Sequence, residues 1–303
     1  MTQKTSRRIG FVSTRLIGTD GVSLETMKWV QVLERLGHTC FFFAGASDQP
    51  PERSRIVPEA LLTHPDILEI YTTAFSQRIR PPEITLLIHL QQDYLKEQLE
   101  CFVQDFDIEL LIVENALAIP MNIPLGMALT EFIAETGFPT IAHHHDFFWE
   151  RKRFLSNCVW DYLNMAFPPH LPSIHHVVIN SSAANQLSLR TGISSLLIPN
   201  VMDFHRPPPP IDDYTHDLRT NLGITHGEKL FLQPTRVVQR KGIEHAIELI
   251  RRLAIPARLV ISHASGDEGD AYERRVREFA ALLTVPTNFV SDVIQNERGV
   301  TQD

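Results

Sequence analysis

Along the first two hundred residues, short apolar runs alternate with longer amphipathic stretches. The apolar runs predict strands over 9–13, 39–44, 109–113, 140–144, 176–180 and 195–198. Some, such as Leu110, Leu111, Ile112 and Val113, are continuous, the pattern of a strand covered on both faces. Between them, helical periodicity predicts helices over 23–36, 82–106, 124–135 and 182–190. The second of these sets Ile88, Leu95, Leu99, Phe102 and Phe106 on one face, read as packing against a sheet. Alternation of this kind builds a parallel sheet with crossover helices.

Four consecutive prolines at 207–210 interrupt the pattern with a stretch that forms neither helix nor central strand. They divide the chain into a first domain over 1–206, a stiff linker over 207–217 and a second domain over 218–303. The alternation then restarts, with strands over 230–234, 258–262 and 288–291 and helices over 241–253 and 271–283. Ile243, Ala246, Ile247, Ile250 and Leu253 repeat at helical spacing. Three strands fall short of the about five or six of a doubly wound domain, so the second domain is expected to be incomplete.

Composition narrows the functional classes. With 43% hydrophobic and 21% charged residues the chain is an ordinary globular protein. Acidic residues outnumber basic ones by 36 to 28, the wrong sign for holding nucleic acid by its phosphates. No stretch approaches the roughly 20 apolar residues of a membrane span, and the N-terminus lacks a signal-peptide core, so the cytoplasm is the expected compartment. Cys40, Cys101 and Cys158 form no C-x-x-C pair and are expected to be reduced thiols.

Three loops carry candidate chemistry, each at a strand end. After the first strand, Gly18 and Gly21 allow close backbone approach. The helix start that follows is expected to offer N–H groups to an anionic or polar ligand. The loop departs from the G-x-G-x-x-G fingerprint, which argues against a dinucleotide. A second cluster, His143, His144, His145 and Asp146, ends the strand that begins near Thr140. Because successive strand residues alternate faces, His143 and His145 point together and His144 points away; one metal shared by all three is disfavoured, and a pocket lining is preferred. In the third loop, Arg236, Arg240 and Lys241 gather beside a helix start, an arrangement that suits a diphosphate.

Taken in order, Gly18 to Gly21, the His145-Asp146 pair, the run from Pro199 through Asn200 to Asp203, Thr235-Arg236 and Lys241-Gly242 resemble the retaining GT-B glycosyltransferases of family 4, also described as group 1 type. The resemblance implies two Rossmann-like doubly wound domains of parallel sheet facing a cleft. It also implies sugar transfer from a nucleoside diphosphate sugar to an acceptor bound on the first domain. Arg236 and Lys241 would neutralise the departing diphosphate, Gly18 and Gly21 would approach the donor, and His145 would sit near the transferred sugar with Asp146 as an orienting partner. His143 and Asn200 would line the pocket. No metal and no further cofactor is implied.

The family's paired glutamates later in the second domain have no counterpart here, since Glu268, Glu273 and Glu278 lie too early. Transfer by this chain alone is therefore expected to be weak. Two alternatives stay open: a non-catalytic sugar- or partner-binding module, and a GT-B sugar phosphorylase using free phosphate at Arg236 and Lys241. Donor base, sugar, acceptor and oligomeric state are not fixed by these residues.

Overall fold

The computed structural model describes residues 6–18, 20–204, 207, 210–265 and 269–293. The chain divides into two compact units, Met1–Met202 and Asp203–Asp303. Of the proposed linker, Pro208 and Pro209 lie outside the described residues, as do Thr19 and Glu268.

The first unit runs β1 (Arg8–Val12), α1 (Gly21–Arg35), β2 (Thr39–Ala44), β3 (Ser54–Ile56), α2 (Pro65–Ser76), α3 (Pro82–Asp105), β4 (Leu110–Glu114), α4 (Ile123–Thr136), β5 (Thr140–His144), α5 (Lys152–Leu155), α6 (Trp160–Ala166), β6 (Ile174–Val178), α7 (Ser181–Thr191) and β7 (Ser195–Leu197). Among the described residues its seven strands are all parallel, in the order β3-β2-β1-β4-β5-β6-β7. The chain winds outward from β1 to β3, then returns to place β4 on the other side of β1. This is a doubly wound sheet whose topological switch point lies between β1 and β4.

Alternation of side chains sorts the core onto two faces. On one, Ile9, Phe11, Phe42 and Ile112 pack against Val30 and Trp29 of α1. On the other, Val12, Phe43, Val113 and Ala142 pack against Leu95, Leu99 and Phe102 of α3 and Leu125 and Leu129 of α4. The long α3 buries the stripe expected of it: Ile88, Leu95, Leu99 and Phe102 are fully covered and Phe106 partly so. Close approach of α3 requires Gly10 on β1, where a Cβ would stand 2.7 Å from the Phe102 ring.

Two sequence expectations shift. The sixth strand begins two residues earlier than its apolar run indicated, because pairing with β5 sets it, Thr140 opposite Ile174 through to His144 opposite Val178. A slip of two residues keeps every side chain on its face. The short polar-flanked β3 and the helices α2 and α6 have no counterpart in the sequence reading. For α2 a signal existed in Pro65 at its first position, a residue pre-set for a helix start.

The second unit contains α8 (Leu218–Asn221), β8 (Lys229–Gln233), α9 (Ile243–Leu253), β9 (Ala257–Ile261), α10 (Ala271–Leu282) and β10 (Thr287–Phe289). Among the described residues its sheet is parallel in the order β10-β9-β8. Helix α9 buries Ile243, Ile247 and Ile250 as its spacing implies. Leu253 is instead exposed, because the helix ends there with Ala254 turning left-handed at φ 50°. Among the described residues no helix is long and apolar enough to cross a membrane.

Candidate functional site

In open parallel sheets, ligands gather beyond the carboxyl ends of the strands beside the switch point. In the first unit that place is occupied by a buried polar cluster. Register places Glu114, the last residue of β4, directly opposite His143 of β5. The two-residue period then brings His145 to the same face. Glu114 Oε2 lies 2.9 Å from His143 Nδ1 and 3.2 Å from His145 Nε2. The side chains of Glu114 and His143 are 0% exposed and that of His145 10%. Trp29 of α1 covers the His143 ring at 4.5 Å between centroids.

Burial pushes the Glu114 carboxyl upward, but the hydrogen bonds from His143 and His145 outweigh it and leave the group below its ordinary value. Glu114 is therefore a carboxylate at neutral pH and accepts both bonds. It follows that His143 carries a proton on Nδ1 and His145 one on Nε2. Among the described residues His143 Nε2 is buried without a partner, which a bare ring nitrogen tolerates better than an N–H does.

Asn115 locks the geometry. It sits in the left-handed region at φ 60°, a conformation asparagine tolerates better than most residues. From there its Oδ1 accepts the His145 backbone N–H at 3.1 Å and its Nδ2 donates to Asp146 Oδ1 at 3.0 Å. Its own N–H donates to the His143 carbonyl at 2.9 Å. Ser13, just past β1, donates to the Glu114 carbonyl at 3.2 Å and bridges the switch point.

Asp146 therefore does not orient His145. Its Oδ2 is held by the Arg151 guanidinium, whose Nε lies at 2.8 Å. The carboxylate on His145 is Glu114, which the sequence reading had passed over as the end of an apolar run.

His144 faces the other way, as alternation requires. Its Nε2 lies 2.9 Å from Nδ1 of His176. Burial first, then the nearby histidines, hold His144 well below the ordinary histidine range, and burial, then His170, brings His176 down to about 4.

The loop after β1 corrects one expectation. The start of α1 is capped by Asp20, whose Oδ1 accepts from Val22 and Ser23 at 3.1 and 3.2 Å. Those N–H groups are thus taken, and an anionic ligand would meet a carboxylate there. Gly18, at φ 77°, donates its N–H to Asp48 at 3.1 Å, and among the described residues no atom lies within 4 Å of a Cβ built on Gly18 or Gly21. Asn200 is exposed beyond β7, while the carbonyl of the next residue, Val201, accepts from Lys28 of α1 at 2.7 Å.

In the second unit, Arg236 lies in the loop after β8 and is partly exposed, and Lys241 ends a single 3-10 turn and is exposed. Gly242 follows at φ 57° and opens α9. One N–H of that helix start, from Ile243, is donated to the Tyr272 hydroxyl at 3.1 Å. Tyr272 in turn donates to Glu244, and burial followed by this bond raises its phenol to about 12.

No protein-family model matches the chain. It is 33% identical over 252 residues to a mannosylglucosylglycerate synthase of Petrotoga mobilis, covering 80% of this chain and 56% of that protein. A protein of the same name from Thermotoga maritima is 33% identical over 239 residues, 77% of this chain and 54% of that protein. The chain thus spans about half the length of these curated relatives. Among solved structures, a glycosyltransferase from Rickettsia africae is similar with a TM-score of 0.57 at 13% identity, over 95% of this chain and 69% of that one. HepE of Anabaena, solved with UDP-glucose, gives 0.55 at 13% identity over 95% and 70%. At such identities the likeness is one of fold: α/β with parallel sheets, as in GT-B glycosyltransferases.

Proposed function

We propose that the chain acts in sugar transfer from a nucleoside diphosphate sugar, with retention at the anomeric carbon. The observation that carries this reading is the 33% identity to a mannosylglucosylglycerate synthase over 252 residues. That alignment is longer than the first unit alone and so runs into both. His145, held by Glu114 at the carboxyl end of the sheet, serves the transferred sugar. Arg236 and Lys241 neutralise the diphosphate as it leaves, through charge-assisted hydrogen bonds aimed at developing charge. Because Asp20 occupies the start of α1, the Gly18 and Gly21 loop is assigned to the neutral sugar and not to the phosphates. The name of the relatives' product suggests a small acceptor bearing a carboxylate, such as a glycoside of glycerate.

Incubation with a panel of nucleoside diphosphate sugars and a glucosylglycerate acceptor tests the reading. Release of nucleoside diphosphate together with an α-linked product from an α-linked donor is expected, and Arg236→Ala should lower that release at least about a hundredfold. Binding of the acceptor without any release, with every donor, would instead favour a sugar-binding module.

A further inference from the structure

The cluster on β4 and β5 contains a carboxylate for which the transfer reading has no use. The proposed role of His145 calls for a histidine near the sugar; nothing in that role calls for a buried glutamate behind it. Yet Glu114 is fully covered, its Oε2 takes hydrogen bonds from both His143 and His145, and its Oε1 is buried without a partner among the described residues. Burying a carboxylate is costly unless its bonds compensate, so Glu114 depends on the two histidines that bond it. The two bonds fix which ring nitrogens carry protons. They do so for the one histidine of the pair that retains exposure, His145.

We propose that Glu114 is the positioning residue for His145: it accepts the Nε2–H, fixes that tautomer, and leaves Nδ1 as the nitrogen available to substrate. The proposal rests on the reading of His145 as the residue that serves the transferred sugar. His143 is the second brace, donating Nδ1–H to the same oxygen from beneath Trp29. Asn115 sets the height of the ring by holding the His145 backbone N–H. Glu114 thus acts through His145 and touches no substrate itself.

A divalent cation is the competing occupant, since the three donor atoms lie within 4.8 Å of one another. The 2.9 and 3.2 Å separations from the shared oxygen are hydrogen-bond lengths. A metal would also demand that the protons on His143 Nδ1 and His145 Nε2 be lost.

Long-range proton–nitrogen correlation spectra of the full chain separate these cases without any need for activity. The signals are identified by their loss in His143→Gln and His145→Gln variants. The expected result at neutral pH is a proton on Nε2 of His145 and on Nδ1 of His143. A bare Nε2 on His145 would overturn the proposal. So would saturable one-to-one binding of Zn²⁺ that Glu114→Gln abolishes.

The kinetic counterpart uses a cycle. Glu114→Gln should lower kcat by at least about tenfold while the donor KM moves less than about threefold, and in a His145→Gln background the same change should cost less than about twofold. Equal losses in both backgrounds would show that Glu114 acts on the fold and not through His145. If the tautomers are as expected but transfer is indifferent to His145→Gln, the transfer role of His145 fails while the positioning stands. The converse result, wrong tautomers with His145-dependent transfer, sinks the positioning alone.

Discussion

The two faces of β5 carry the same side chain into opposite circumstances. On the α1 face, His143 and His145 share a carboxylate, and every proton in the trio has an acceptor. On the other face, the hydrogen-bond partner of His144 among the described residues is His176. Two neutral histidines that share one hydrogen bond have one N–H left over. Among the described residues the remaining ring nitrogens, His144 Nδ1 and His176 Nε2, are both buried without partners. One face therefore holds a buried carboxylate bonded by two histidines, and the other a neutral pair that resists protonation. Chemistry near a departing sugar needs the first kind of environment. The second reads as packing.

Breaking the ionic face should cost most. His143→Leu leaves the buried Glu114 charge with a single partner, and removing one member of such a network typically costs about 3 to 5 kcal/mol. Urea unfolding followed by tryptophan fluorescence would measure it, because Trp29, Trp149 and Trp160 all lie in the first unit. The deficit should shrink as pH falls, since Glu114 can then take a proton and become neutral. A deficit that is small at neutral pH would show that the carboxylate is not charged.

Acid separates the faces next. The His176 pKa of about 4 is depressed by burial and then by His170, so the native state holds it neutral while the unfolded chain binds a proton near 6.5. Its contribution is complete above pH 6.5 and is lost as pH falls from there towards 4, about 3.5 kcal/mol in all at 1.4 kcal/mol per unit. His144, also depressed, adds to the same loss. Glu114 changes in the same direction but in a lower window: its carboxyl lies below the ordinary 4.5, so its contribution holds above that value and is lost only as pH falls below it. Unfolding free energies at intervals from pH 7 to 4 should therefore fall through the upper window. A flat profile there would overturn the assignment of the His144 pair.

How much of this was legible follows from what each feature depends on. The split of His143 and His145 from His144 is a property of any strand, so local alternation was enough. Glu114 was not legible, because its role depends on β4 lying beside β5 in a register that pairs it with His143, and neither adjacency nor register is local. The His145 partner was sought one residue away, in Asp146, where the chain turns and Arg151 competes for the carboxylate. The capping of α1 by Asp20 could have been read, since an aspartate just before an amphipathic run is a standard helix start. The diphosphate assignment of Arg236 and Lys241 still rests on their place in the sequence and on resemblance.

Asn115 offers a subtler way to sharpen the contrast. Asn115→Ala loses the bonds to the His145 N–H and to Asp146 and places alanine at φ 60°, for a combined cost of about 2 to 3 kcal/mol. Asn115→Gly loses the same bonds but fits the backbone, so it should retain about 1 kcal/mol of that difference. If the two variants unfold alike, the left-handed turn is not under strain. Either change should loosen His145 and leave the His144 pair untouched, which imidazole spectra would report.

The smallest effect belongs to the neutral face, and its smallness is the point. Replacing both partners of a buried hydrogen bond by apolar groups of similar size is close to neutral, because no donor or acceptor is left behind. His144→Leu with His176→Leu removes the surplus N–H as well, so the double variant should match the parent within about 1 kcal/mol at pH 7 and exceed it at pH 5. His144→Leu alone strands His176 Nδ1 and should cost about 1 to 2 kcal/mol. Sugar transfer should survive the double change, since the His144 ring stacks with Phe147 and His176 on the face away from His145. A double variant that loses transfer while staying folded would mean that the two faces of β5 are coupled, and that the histidines behind the sheet support the ones in front.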